Sequence, residues 1–221
     1  MSPSELQAHA LGLDLGGRAV LDGIELTARA GVPLAISGPS GSGKTVLLLA
    51  LAGLIPPSRG TVLVDGTPIS TDGDRGGIRF GVVLQTQGLV AEMTAQENVS
   101  LPLQERRLPT VEVRTRATEA LRSVGLGDVH DRFTAELSGG QRQRVGVARA
   151  LAGSPEIVIA DEPTGELDPD NRARVLALLV DPSPDRIVVI ASNDPEVVDA
   201  CHRVLHLRDG IVDDGGDRIP G

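Results

Sequence analysis

Lys44 is the only lysine of a 221-residue chain in which lysine and arginine together number 21, and it lies inside Gly38-Pro39-Ser40-Gly41-Ser42-Gly43-Lys44-Thr45. A composition that uses arginine at every other basic position and keeps lysine here points to a task arginine cannot perform. Lysine offers a compact ammonium on a thin stem, whereas arginine's flat fork is too wide to fold back beneath a pair of phosphates. The octapeptide fits GxxxxGK[ST], a loop whose backbone N–H groups wrap phosphates while the lysine reaches the terminal ones. Thr45 then offers its hydroxyl to Mg²⁺.

That chemistry needs a strand before the loop and a helix after it. Pro33 to Ser37 is a short apolar run that predicts a buried strand, and Val46 to Leu54 predicts a buried helix. The free N–H groups and dipole of a helix start favour a phosphate at this junction. Upstream, Leu13 and Leu15, then Ile24, Leu26 and Ala28, recur at spacing two around Gly16-Gly17, the pattern of an antiparallel hairpin. Further strands are expected at Thr61 to Val64, Arg79 to Leu84, Ile157 to Ala160, Ile187 to Ala191 and Val204 to Leu207. The last of these are continuous apolar runs, as in parallel strands buried on both faces. Between Gln85 and Leu137 the sequence turns charged and helix-favouring, with Val111 to Val124 the clearest amphipathic stretch. Asp168-Pro169 predicts the N-cap and first residue of a helix through Val180, and the glycine- and aspartate-rich tail from Asp209 is expected to carry little chemistry.

Composition narrows the function further. A net charge of −9 argues against a broad contact with a phosphate backbone, so no nucleic-acid partner is expected. One cysteine, Cys201, excludes an intrachain disulfide and suits a small buried apolar position. Residues 1–10 lack the pattern of a signal peptide, and the longest apolar run, around Val46 to Ile55, falls short of the ~20 residues a membrane span needs. Any membrane role is expected to come through a partner.

Leu137-Ser138-Gly139-Gly140-Gln141, followed by Arg142-Gln143-Arg144, resembles the signature sequence of the ATP-binding-cassette (ABC) ATPases. In that family the serine hydroxyl and glycine N–H groups at a helix start hold the γ-phosphate of an ATP bound to the opposite subunit, a helix N-terminus meeting an anion with glycines permitting close approach. The strand ending in Asp161-Glu162 resembles the family's Walker B segment, which implies that Asp161 holds Mg²⁺ through water and Glu162 takes the proton of the attacking water. Pro163-Thr164-Gly165-Glu166-Leu167-Asp168 is similar to the D-loop, with Asp168 shaping the composite site, and Gln85 matches the Q-loop glutamine that touches the metal or its water. Glu97-Asn98-Val99 and Leu101-Pro102-Leu103 look like the macrolide-export and lipoprotein-release branch.

The resemblance implies an α/β fold: a P-loop NTPase core of mostly parallel strands, an N-terminal antiparallel β layer and an inserted α-helical subdomain. It implies a single domain over 1–221, with the core in 1–85 and 155–221 and the helical subdomain, carrying the signature, in 86–154. It further implies ATP and Mg²⁺ as ligands, a second ATP-binding subunit, either an identical or a related chain, and an integral membrane permease at the cytoplasmic face of the membrane. A chromosome-organising or DNA-repair relative is disfavoured, because the segment between Gln85 and Leu137 has no room for a long coiled coil and one cysteine cannot build a zinc site.

Two positions depart from the family pattern. In Ala191-Ser192-Asn193-Asp194-Pro195, Asn193 stands where the family has a histidine on the γ-phosphate, and asparagine can donate a hydrogen bond but cannot carry charge. This motivates an alternative, a nucleotide-binding subunit with weak or no ATPase activity; the intact Glu162 favours activity. Leu15 stands where an aromatic side chain normally stacks on adenine. Without the stacking contribution of about 1 kcal/mol, base discrimination is expected to be weak. ATP and GTP should then compete for a fluorescent nucleotide with affinities within roughly fivefold of each other, and a much larger ratio would contradict the assignment.

Overall fold

The computed structural model describes residues 2–70, 77–104, 108–181 and 185–213. In chain order its elements are β1 (Glu5–Leu15), β2 (Arg18–Arg29), β3 (Leu34–Ser37), α1 (Lys44–Leu51), β4 (Arg59–Val64), β5 (Thr67–Pro68), β6 (Phe80–Val83), α2 (Ala95–Gln104), α3 (Thr110–Ser123) and α4 (Gly139–Ala152). There follow β7 (Ile157–Asp161), α5 (Pro169–Val180), β8 (Ile187–Ala191), α6 (Pro195–Ala200), β9 (Arg203–Arg208) and β10 (Ile211–Val212).

The alternating residues of the first thirty positions form the expected hairpin. Gly16 and Gly17 both have positive φ, +56° and +79°, as a two-residue turn between right-twisted strands requires. β1 pairs antiparallel with β2 and β4, giving a four-stranded sheet in the order β2-β1-β4-β5. The second sheet runs β10-β9-β3-β8-β7-β6, with parallel pairing from β9 through β6 and one antiparallel pair at the β10 edge. β10 and β5 were not expected from the sequence: they are two-residue strands held by their neighbours and too short to carry a period. Of the glycine- and aspartate-rich tail, residues 214–221 lie outside the described residues.

Burial explains why β7 and β8 read as unbroken apolar runs. Every residue of both strands is buried. Ile157, Ile159, Ile187, Val189 and Ala191 face one apolar cluster, shared with Leu47, Leu48 and Leu51 of α1 and with Leu6, Leu11 and Ile24 of the antiparallel sheet. Val158, Ala160, Val188 and Ile190 face the other, which continues without a break into Val99, Leu121, Val145 and Leu179 of the helices. The period of two thus sends alternate side chains to two separate cores. α1 is held between the two sheets, packed on β2, β7 and β8, while α2, α3 and α4 pack on one another. Cys201 is buried, and burial pushes its thiol up to about 12, so it behaves as the apolar filler expected.

Leu47 is fully buried on α1 between the sheets. Leu47→Ala should lower unfolding stability by about 2–5 kcal/mol, read from the urea midpoint at constant slope.

Candidate functional site

The order of the parallel strands decides what can meet. Along β3, β8, β7 and β6 the carboxyl ends carry, in turn, the Gly38–Thr45 loop, Ser192-Asn193, Asp161-Glu162 and Gln85. Register holds these ends level: Ile36 pairs with Ala191, Ala191 with Asp161, and Ala160 with Val83. Residues far apart in sequence therefore share one edge of the sheet, where open α/β sheets bind their ligands.

The loop itself is shaped by close approaches. A Cβ on Gly38 would meet the Leu207 carbonyl oxygen at 2.0 Å, and Gly43, at φ +102°, would press on Leu21 at 2.9 Å. Ser42 N–H donates to Pro39 O, and Gly210 N–H donates to Ser42 O, fastening the loop to the β9–β10 turn. Lys44, 8% exposed, donates through Nζ to Gly38 O at 2.5 Å and Pro39 O at 3.2 Å. Its ammonium lies against the loop carbonyls, while Pro39, Ser40 and Gly41 are exposed.

Across from the loop, Thr45 Oγ1 donates to Asp161 Oδ2 at 2.6 Å, so the two oxygen groups assigned to Mg²⁺ touch. Gln85 borders the same cleft of about 340 Å³, together with Ser40, Gly41, Gly43, Lys44, Thr45, Asp161, Glu162 and Asn193. Among the described residues no group of three or more His, Cys, Asp or Glu is placed to hold a metal ion by itself. A hydroxyl and one carboxylate fit a hard cation that completes its shell with phosphate oxygens and water.

Glu162 is held from four sides. Its backbone adopts φ +44°, a left-handed conformation that costs a non-glycine residue about 1–3 kcal/mol and persists only where surroundings enforce it. Its N–H donates to Ala191 O at 2.9 Å, and its carbonyl accepts from Gln143 Nε2 at 2.7 Å. On the side chain, Oε2 accepts from Ser192 Oγ at 2.8 Å and Oε1 from Asn193 N–H at 3.3 Å. Asn193 in turn accepts from Gly38 N–H through Oδ1 at 3.1 Å, tying the end of β8 to the phosphate loop.

The remaining predicted residues do not join this cleft. Ser138, Gly139, Gly140 and Gln141 open α4, where Ser138 Oγ accepts from Gln141 N–H and the Gln141 side chain accepts from Ser138 N–H, a complete capping box. The Ser138 hydroxyl proton is left to donate outward from an exposed position. Asp168 caps α5, and hydrogen bonds from Asn171, its N–H first and then its side chain, hold the carboxyl below its ordinary range. Leu15 is 50% exposed at the end of β1 and does not border the cleft, whereas Val20 does.

Several contributors escaped the sequence reading. Val20 sits in a segment with no motif, and Ser192, inside the quoted Ala191–Pro195 segment, had no role there; the fold brings both in. Arg149, near the end of α4, donates to Gln87 O and to Gly88 O at 2.7 Å, holding the loop that carries Gln85. Burial lowers its guanidinium pKa, and its partners are carbonyls rather than a carboxylate. Gln143 lies within the quoted signature stretch but had no role there.

The model of the family described as ABC transporter matches residues 21–165. The lipoprotein-releasing system ATP-binding protein LolD of Pseudomonas fluorescens is 42% identical over 198 residues, covering 86% of this chain and 87% of that protein. The macrolide export ATP-binding/permease protein MacB 1/2 of Paracoccus denitrificans is 40% identical over 199 residues, covering 87% of this chain and 30% of that longer protein. Among solved structures, the dimeric ATP-binding cassette MJ0796 in a post-hydrolysis state bound to ADP and Pi superposes with a TM-score of 0.88 at 30% identity, covering 98% of this chain and 99% of that one. With the phosphate loop, the acidic pair and the capped signature helix in place, the chain belongs to the ABC transporter family, as an ATP-binding, ATP-hydrolysing subunit of the branch that the LolD and MacB relatives represent.

Proposed function

We propose that two such chains pair head to tail over two ATP molecules, each signature helix closing on the nucleotide held by the other chain, and that closure drives an integral membrane permease at the cytoplasmic face. One observation carries this. A single chain assembles phosphate loop, acidic pair and Thr45 in one cleft, yet leaves Ser138, Gly139 and Gly140 outside it, at a helix start where Ser138 is exposed and the glycines half-buried and whose hydroxyl and N–H groups suit an anion. The dimeric state of the MJ0796 cassette and the joined ATP-binding and permease parts in the MacB name support the two partnerships. Residues 86–154 act as the unit that carries the signature, a division supported by the mutual packing of α2, α3 and α4. No described helix is long and apolar enough to cross a membrane.

Each residue has a defined task. Lys44 and the loop N–H groups bind the β- and γ-phosphates. Thr45 and Asp161, with Gln85 at the cleft wall, would hold Mg²⁺, whose charge would offset that developing on the phosphoryl oxygens. Glu162 takes the proton of the attacking water as the new P–O bond forms and the β–γ bridge breaks, releasing ADP and phosphate. Ser192 and the Asn193 N–H fix that carboxylate, and with Oδ1 accepting from Gly38, the Asn193 amide hydrogens form the donating end. Asp168 and Gln141 keep the ends of α5 and α4 in the shape the composite site needs.

Lys44→Ala should abolish nucleotide binding in equilibrium titration. Glu162→Gln should retain ATP binding, lower steady-state turnover by about 100-fold or more, and trap an ATP-loaded dimer on size exclusion. Turnover equal to wild type in that variant would remove Glu162 as the base. Replacing Asn193 by histidine decides whether the missing charge limits the rate: fast wild-type turnover, unchanged by Asn193→His, would dispose of the weak-ATPase alternative.

A further inference from the structure

We infer that Gln143 is a positioning residue for Glu162, a buried carboxamide on the signature helix through which the placing of that helix is passed to the base. The inference rests on the reading of Glu162 given above and deepens it.

Gln143 is 3% exposed, and both ends of its side chain are used. Nε2 donates to Glu162 O at 2.7 Å, and Oε1 accepts from Glu166 N–H at 2.8 Å. Only one orientation of the amide satisfies a carbonyl on one side and an N–H on the other, so the side chain has a unique setting. Its two partners flank the turn that leaves β7 and leads to Asp168. The first of them, Glu162, is the residue whose left-handed backbone must be enforced from outside. The β8 side supplies one clamp, Ala191 O accepting from Glu162 N–H; on the other side Gln143 Nε2 donates to Glu162 O at 2.7 Å, a shorter bond than the one from Gly165 N–H at 3.4 Å.

Gln143 belongs to the same rigid helix as the Ser138 capping box, five positions further on, about 7.5 Å along the axis. A shift of α4 that seats Ser138, Gly139 and Gly140 on a neighbouring phosphate must move the Gln143 amide with it. Glu162 O and Glu166 N–H either follow or lose their bonds to Gln143, leaving a side chain that is itself 3% exposed without partners, which is costly. Hydrolysis is in this way tied to docking of the signature by a direct bond to the base's own peptide, rather than by proximity alone.

The test compares Gln143→Glu and Gln143→Met in the full chain, with Glu162→Gln as control. Gln143→Glu keeps shape and the acceptor for Glu166 N–H but sets a carboxylate oxygen against Glu162 O. At neutral pH both Gln143 variants should bind a fluorescent ATP analogue within about twofold of wild type, with KM unchanged and kcat lowered by about tenfold or more. On acidification the introduced carboxyl takes a proton and regains a donor, so kcat of Gln143→Glu should climb toward wild type while Gln143→Met does not recover. Glu162 and Glu166 are the neighbouring carboxyls, and the wild-type profile is the reference that contains both. A purely structural Gln143 would lower melting temperature without such a pH signature. Profiles of Gln143→Glu and wild type that run parallel, kcat within twofold in both variants, or nucleotide affinity falling in step with kcat would each overturn the inference. If Gln143→Met does not fold, the pH profile of Gln143→Glu decides. Loss of turnover in Glu162→Gln beside active Gln143 variants overturns this inference alone, whereas normal turnover in Glu162→Gln sinks the parent reading and this one together.

Discussion

Parallel pairing of β3, β8, β7 and β6 is the constraint on which the remainder depends. Each strand brings a different chemical group to the same edge, so the site exists only if all four ends are level. A slip of one residue in any pair would send its side chains to the opposite core and lift its terminal group away from the cleft. The two apolar clusters prevent this. Ile157 and Ile159 fill one while Val158 and Ala160 fill the other, and neither set can exchange places without leaving cavities and clashes. Packing on both faces of a short strand thus fixes chemistry at its end.

Within this frame the chain tolerates local strain where the chemistry requires it. Glu162 sits left-handed at the end of a fully buried strand, and its hydrogen-bond partners come from β8, from the loop after β8 and from α4. A carboxylate so held is presented from a fixed backbone. Arg149 does something comparable for the loop bearing Gln85, using carbonyl acceptors so that the hold does not depend on the charge state of a carboxylate.

How much was legible beforehand follows from contiguity. Gly38 to Thr45, Ser138 to Gln141, and Asp161 with Glu162 are short unbroken strings in which the chemistry and its local geometry share the same residues, so sequence sufficed to propose them. Strands β7 and β8 were legible because double-sided burial writes itself as an unbroken apolar run, and Asp168 with Pro169 announced α5 through cap chemistry. Val20, Ser192, Gln143 and Arg149 were not legible as site residues. Each acts through a partner remote in sequence, and only the pairing of strands and the docking of α4 tell that a buried amide meets a strained peptide. Leu15 shows the reverse: a family position carried over by spacing, which the hairpin leaves half exposed beside a cleft bordered instead by Val20.

The lone lysine has an experimental side. With no other lysine in the sequence and Lys44 tucked beneath the phosphate loop, the side chains offer a single primary amine, seated where the nucleotide's phosphates are expected. Acylating or reductively alkylating reagents that spare the chain terminus can therefore modify only that position. Because Lys44 is 8% exposed and bonded to Gly38 O and Pro39 O, the extent of labelling reports how often the phosphate loop opens, obtained from intact mass without introducing any reporter into the protein.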